Sequence, residues 1–267
     1  MKRREFLGSA MGASVLAAVS ATSSKAATDN ARSSGREYYQ LRRYQLSSAQ
    51  AGGAADYFSN ALVAALNRMQ ISPVGVFNAS IGLTTPAPYL LMPCLSLETL
   101  AKVDENLMAD TDYQKAARPF LTASAAQRSF VSMDTSLLQA FEKMPRLTLP
   151  EAAIARKPRI YEIRTYESPS ERDHELKIEQ MQAGESDIFK SVGAWPVFFA
   201  DTLVGSRLPK LTYMLGYENL AARERVWAAF AAAPAWKALS TEPRYAFEGL
   251  VSNITNEILT PTPYSQI

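Results

Sequence analysis

Two stretches, Tyr38–Tyr44 and Ile160–Tyr166, alternate their side chains in a β-rich pattern, which predicts strands with two distinct faces. After the first, Ala55, Phe58, Leu62, Ala65, Leu66 and Met69 recur at helical spacing until Ser72-Pro73 ends the run. Val74–Ile81 and Tyr89–Leu95 are apolar runs separated by Thr84-Thr85-Pro86-Ala87-Pro88, a hairpin-like break. Ser96 is placed to cap a helix with Leu97, Leu100, Val103 and Leu107 on one face, and the stretch 128–141 supplies a last strand. From Ile160 the order repeats. A helix is expected over about 170–191, strands over Trp195–Asp201 and Leu208–Tyr217, and a helix from about Asn219 that Pro234 interrupts before Trp236 and Leu239. A closing strand is expected over the stretch 247–259.

The repetition extends to residues. Tyr39-Gln40-Leu41-Arg42-Arg43-Tyr44 matches Tyr161-Glu162-Ile163-Arg164-Thr165-Tyr166 at an offset of 122, Val76-Phe77 matches Val197-Phe198 at 121, and Leu97-Glu98-Thr99-Leu100 matches Tyr217-Glu218-Asn219-Leu220 at 120. Three matches in one order at nearly the same offset indicate a duplication, and two copies are too few for a solenoid. The expected units run over 37–141 and 159–260, joined by a linker, 142–158, marked by Pro145, Pro150 and Pro158. Each reads as βαββαβ, the ferredoxin-like split unit of the α+β class, whose sheet has one face for helices and one left to pair.

Tyr161-Glu162-Ile163-Arg164-Thr165-Tyr166, then Tyr217-Glu218-Asn219-Leu220-Ala221-Ala222-Arg223, then Pro234-Ala235-Trp236 resemble a NIPSNAP domain of the dimeric α/β-barrel superfamily. The resemblance covers nearly all of the second copy and, more loosely, the first, which carries Gln40 in place of Glu162 and has no clear counterpart of Trp236. It implies that the two units pair within the chain as a dimeric α/β-barrel, with self-association into a homo-oligomer a further expectation. Relatives are implicated in interaction and trafficking, while others in the superfamily are cofactor-independent or haem-dependent monooxygenases.

Strand alternation puts Tyr161, Ile163 and Thr165 on one face and Glu162, Arg164 and Tyr166 on the other. The first face is expected to pack on helices. The second, with Gln40, Arg42 and Tyr44, is expected to line the barrel interior. There it is either a charge network fixing the pairing or a pocket for a polar or anionic small molecule. His174 shares a helical face with Ile178, Met181, Glu185 and Ile188; it reads as a packed first-turn histidine, with acid/base work or an axial haem contact as the sharper readings. Cys94, in an apolar strand, reads as a small buried hydrophobe.

Composition narrows the function. At 47% hydrophobic and 20% charged residues, the 267-residue chain affords a sizeable core. A single Cys and a single His exclude an intramolecular disulfide and the common zinc sites, so no metal and no resident cofactor are expected. Nucleophile-elbow, phosphate-loop, dinucleotide, His-Glu-x-x-His and Cys-x-x-Cys motifs are all missing. The net charge of +2 belongs to the first 26 residues, where Lys2, Arg3 and Arg4 precede an apolar stretch and Ser24-Lys25-Ala26 resembles a cleavage site. Arg3-Arg4-Glu5-Phe6-Leu7 resembles a bacterial twin-arginine signal, which implies a periplasmic or otherwise exported protein. Removing residues 1–26 takes away four basic residues and one acidic, leaving 24 against 25, so no nucleic-acid partner is expected. A flexible lead-in is expected over 27–36, and no span of membrane after processing. Two functions follow as expectations: binding of a small molecule or a protein without catalysis, or an enzyme resembling the monooxygenases of that superfamily.

Overall fold

The computed structural model describes residues 35–82, 84–245 and 247–267. The expected leader, 1–26, and the lead-in over 27–34 lie outside the described residues. Eight strands form one closed barrel: β1 (Tyr38–Gln45), β2 (Gly75–Ile81), β3 (Pro88–Cys94), β4 (Ser132–Ala140), β5 (Ile160–Glu167), β6 (Trp195–Val204), β7 (Lys210–Tyr217) and β8 (Asn253–Pro261). Around the barrel they run β1-β3-β2-β8-β5-β7-β6-β4. Each copy therefore contributes a four-stranded antiparallel sheet in the same internal order, β4-β1-β3-β2 and β8-β5-β7-β6. The two sheets join at β2–β8, with Asn78 opposite Thr260, and at β4–β6, with Gln139 opposite Asp201. Closure inside one chain removes every sheet edge, and Arg36–Ile267 packs as a single body.

Helices cover the outside. In the first copy, α1 runs through Ala51–Tyr57, a π-helical turn Phe58–Leu62 and Val63–Arg68. Next comes α2, Leu97–Ala101 with Val103–Ala109, and then α3, Thr111–Leu121. In the second copy, α4 runs through Glu171–Gln180, a π turn Met181–Glu185 and Ser186–Ser191, followed by α5 (Leu220–Ala232) and α6 (Pro234–Ser240). The caps follow the sequence: Ser96 accepts from the Thr99 amide, Ser170 from Asp173 and Asn219 from Ala222. Pro234, at the first turn of α6, separates it from α5 as expected.

Three expectations need correction. The closing strand is Asn253–Pro261, and Phe247–Leu250 is a helical turn. Leu97 is 37% exposed, so only Leu100, Val103 and Leu107 bury one face of α2. The third concerns which strand face points inward. The barrel interior is filled by Tyr39, Phe77, Leu91, Leu138, Tyr161, Ile163, Phe198, Met214 and Leu259, with Tyr161 edge-on to Phe77 and Tyr39 against Phe198. Gln40, Arg42, Tyr44, Glu162, Arg164 and Tyr166 lie instead on the outer face, under the helices. The middle of this barrel is filled by its own uncharged side chains, whereas the helices bring polar partners to the outer face. The expected linker is packed too: Leu147 and Leu149 close one end of the barrel, Thr148 donates to the Val197 carbonyl, and a helical turn forms at Glu151–Ile154.

Candidate functional site

In the second copy the strand residues build a buried charge network. The Glu162 side chain is fully buried, and each carboxylate oxygen accepts three hydrogen bonds. Oε1 takes Arg164 Nη1 (2.8 Å), Arg223 Nη2 (2.6 Å) and Asn256 Nδ2 (3.2 Å); Oε2 takes Arg223 Nε (3.0 Å), Trp227 Nε1 (2.9 Å) and the Tyr217 hydroxyl (3.2 Å). Burial pushes the Glu162 carboxyl up, but donation from Arg223, with Arg164 and Trp227, outweighs it and holds the group below its ordinary value. The Arg164 guanidinium lies 4.4 Å from the Trp227 ring centre, and Tyr166 shares a 2.8 Å hydrogen bond with Tyr213. Beside them Lys177, also fully buried, donates to Glu185 (2.7 Å) and Gln180 (2.8 Å), with its ammonium over the Tyr166 and Trp236 rings. Charges so closely partnered are structural groups, and they occupy the sheet–helix space around Glu162 and Lys177.

The first copy uses the same positions differently. Gln40 accepts from Arg42 Nε (2.9 Å) and donates to the Leu100 carbonyl (3.3 Å). Arg42 then reaches outward in a bidentate pair with Asp104, at 2.9 Å to each oxygen; the Asp104 side chain is 70% exposed. Tyr44 joins a closed circuit of rings, meeting Phe58 and Phe130, while Tyr57 contacts Phe58 and stacks on Phe120 at 3.8 Å and 4°, and Phe120 meets Phe130. Beside this circuit opens a cleft of about 760 Å³ between α1, α3 and the 123–129 loop, lined by Tyr57, Phe120, Asn60, Asp56, Arg128 and Ser129 among others. The Tyr57 and Tyr113 hydroxyls share a 2.8 Å bond, and burial keeps both phenols protonated by raising their pKa values. The π turn of α1 contributes Asn60 to the wall. Such turns are frequent at functional sites.

The NIPSNAP family model matches residues 39–138 and again 161–266, more than half of the chain. The chain belongs to the NIPSNAP family. No curated protein matches the sequence. Among solved structures, a proposed monooxygenase from Fusobacterium nucleatum subsp. nucleatum superposes with a TM-score of 0.53 at 8% identity, covering 85% of this chain and 93% of that one. A second proposed monooxygenase, from Lactobacillus acidophilus, gives 0.51 at 7% identity, covering 85% and 94%. An uncharacterised NIPSNAP-like domain protein from Burkholderia xenovorans is 24% identical over 40% of this chain and 88% of its own, with a TM-score of 0.36. The NIPSNAP chain thus has an α+β fold of two repeated units in a dimeric α/β-barrel arrangement.

Within this NIPSNAP fold the sequence-predicted residues separate. Glu162, Arg164 and Tyr166 meet one another in the second copy, and Gln40, Arg42 and Tyr44 occupy the equivalent place in the first, with the barrel between the two sets. Sequence reasoning missed their helix-borne partners Asp104, Arg223 and Trp227, and the cleft aromatics Tyr57 and Phe120; the expected Tyr217-to-Arg223 motif contained a signal for two of the Glu162 donors. His174 is buried, with Nε2 2.8 Å from Asp201 Oδ1, and lines none of the cavities described here. That position does not fit an axial haem contact. Cys94 is partly buried against the helix-side core of the first copy. No cluster that could hold a metal ion occurs among the described residues, and none of their helices is long and apolar enough to cross a membrane.

Proposed function

We propose that this NIPSNAP protein is exported through the twin-arginine route and binds a small, planar, partly apolar molecule in the cleft of its first unit without transforming it. The observation that carries the reading is the stacked Tyr57–Phe120 pair beside a cleft of about 760 Å³. That volume is within the range of small-molecule pockets, and an aromatic lining favours contact with another flat ring. Asn60, Asp56, Arg128 and Ser129 supply the polar contacts that would orient it. Protein purified from the periplasm of a bacterial host and weighed by native mass spectrometry is expected to carry a mass beyond the bare chain, and Phe120→Ala is expected to lose it while melting cooperatively. A periplasmic protein of bare mass, or retention of the adduct by the variant, overturns the cleft as the site. Export is tested by Arg3→Lys with Arg4→Lys, which is expected to leave the protein in the cytoplasm with its first residues attached.

A second reading, an oxygen-using enzyme of the cofactor-independent or haem-dependent kind, is supported by the hydrogen-bonded phenols of Tyr57 and Tyr113 beside the cleft and by the two proposed monooxygenases sharing the fold. It requires oxygen uptake or a Soret band in the ligand-loaded protein; simple binding requires neither. A protein partner in place of a small molecule is the outcome favoured if the cleft is empty and the chain co-purifies with a second polypeptide in fixed ratio.

A further inference from the structure

The lining of the first-unit cleft is uncharged except at two points, and these stand on different walls. Gly53, Asp56, Tyr57 and Asn60 recur at helical spacing, so α1 turns one face to the cleft. The other wall is the loop after α3, where a short 3-10 turn, Ala125–Gln127, leads into Arg128. Asp56 and Arg128 are the two charged residues of that lining among the described residues; both are exposed, and they do not pair with each other. The wall that carries Arg128 is tied down at two points. Gln50 Nε2 donates to the Arg128 carbonyl (2.6 Å) while Gln50 Oε1 accepts from the Ser47 amide (2.7 Å), and the Ser129 hydroxyl donates to the Phe120 carbonyl (2.5 Å). The backbone at Arg128 is thereby anchored to the segment before α1 and to the end of α3.

A carboxylate and a guanidinium on facing walls cancel in net charge and set up a field across the space between them, which concave walls concentrate. We propose that this cleft takes a zwitterion of the aromatic amino acid class, with its ammonium group on Asp56, its carboxylate on Arg128 and its ring on the Tyr57 and Phe120 side. The inference rests on the reading of the cleft as a small-molecule site and narrows that reading to one charge pattern. Each simpler pattern uses the walls less well. An anion meets Arg128 but also faces Asp56, a cation does the reverse, and an uncharged ring engages neither. The planar fork of arginine suits a carboxylate. Asn60, about one helical turn from Asp56 on the same wall, supplies an amide oxygen as a second acceptor for the ammonium group.

The test is calorimetric titration of the full chain, dialysed until native mass spectrometry shows the bare mass, with L-phenylalanine, 3-phenylpropionate and phenethylamine, which share a ring and differ in charge. L-Phenylalanine is expected to saturate the wild type at one site, and the two singly charged analogues to bind roughly tenfold or more weakly, because each leaves one wall without its partner. Asp56→Asn is expected to bring L-phenylalanine down to the level of 3-phenylpropionate, and Arg128→Gln down to that of phenethylamine; both positions are exposed, so thermal unfolding should not move. Gly53→Leu, at a place where an added Cβ meets nothing within 4 Å, is expected to obstruct all three probes. Absence of saturable L-phenylalanine binding, equal affinity for the three probes, or unchanged L-phenylalanine affinity in Asp56→Asn or Arg128→Gln overturns the proposal. A native adduct that Phe120→Ala removes, together with equal affinity for the three probes, would keep the cleft as the binding site and end only the charge assignment. Discrimination among the probes without any purified adduct would do the converse.

Discussion

The two copies share strand order, helix placement and even a π turn in the first helix, yet they use the space between sheet and helices in opposite ways. In the second copy that space holds a fully buried carboxylate, two arginines, a buried Lys177–Glu185 pair and the Trp227 and Trp236 rings. In the first, glutamine replaces the carboxylate, arginine turns outward to an exposed aspartate, and an aromatic circuit borders an open cleft. A single substitution, Gln40 for Glu162, marks the divergence. Without a buried anion at position 40 there is nothing to hold a second guanidinium, and Val103, rather than an arginine, stands at the α2 position that corresponds to Arg223. One scaffold has thus become a packed anchor on one side and a receptor on the other.

The comparison can be broken most directly at its centre. Replacing Glu162 with Ala leaves buried guanidinium groups without their anion, so a loss of about 3–5 kcal/mol is expected by chemical denaturation. Gln40→Ala is expected to cost only about 1 kcal/mol, the scale of one neutral hydrogen bond. Equal losses would end the distinction between anchor and receptor. All three tryptophans, Trp195, Trp227 and Trp236, lie in the second copy, so their emission reports the anchor specifically.

Acid gives the next largest effect. Because the folded protein holds the Glu162 carboxyl below its ordinary value of 4.5, its contribution is fully present above that value and is lost as pH falls through the lower, folded one. The stability difference between wild type and Glu162→Gln should therefore shrink below about pH 4.5 in acid-titrated unfolding curves; a difference that is constant down to pH 2 contradicts the network. The smallest effect is expected at Asp104. Its side chain is 70% exposed, and Asp104→Ala should cost at most about 1 kcal/mol, readable as a slight shift in the urea midpoint.

The duplication, the βαββαβ order, the cap at Ser96 and the break at Pro234 were all legible in the sequence, because each rests on local chemistry. The direction of the strand faces was not. Alternation separates Tyr161, Ile163 and Thr165 from Glu162, Arg164 and Tyr166, but in a closed barrel wrapped by helices both faces are buried, so polarity no longer distinguishes inside from outside. What decides is the supply of partners: Arg223, Trp227 and Asp104 come from helices, and their positions depend on contacts some sixty residues apart in sequence. The π turns escaped for a different reason, since one extra residue per turn hardly disturbs an apolar pattern read over a whole helix.

Barrel closure within one polypeptide also sets how the molecule can change. Two identical chains sharing a barrel carry every substitution twice, at symmetry-related places, so a mutation that opens a cleft on one side opens it on the other and weakens both supports together. Here the joints β2–β8 and β4–β6 unite non-identical halves. The helix-covered face of each side can therefore be altered alone, while the shared interior ties the two halves together.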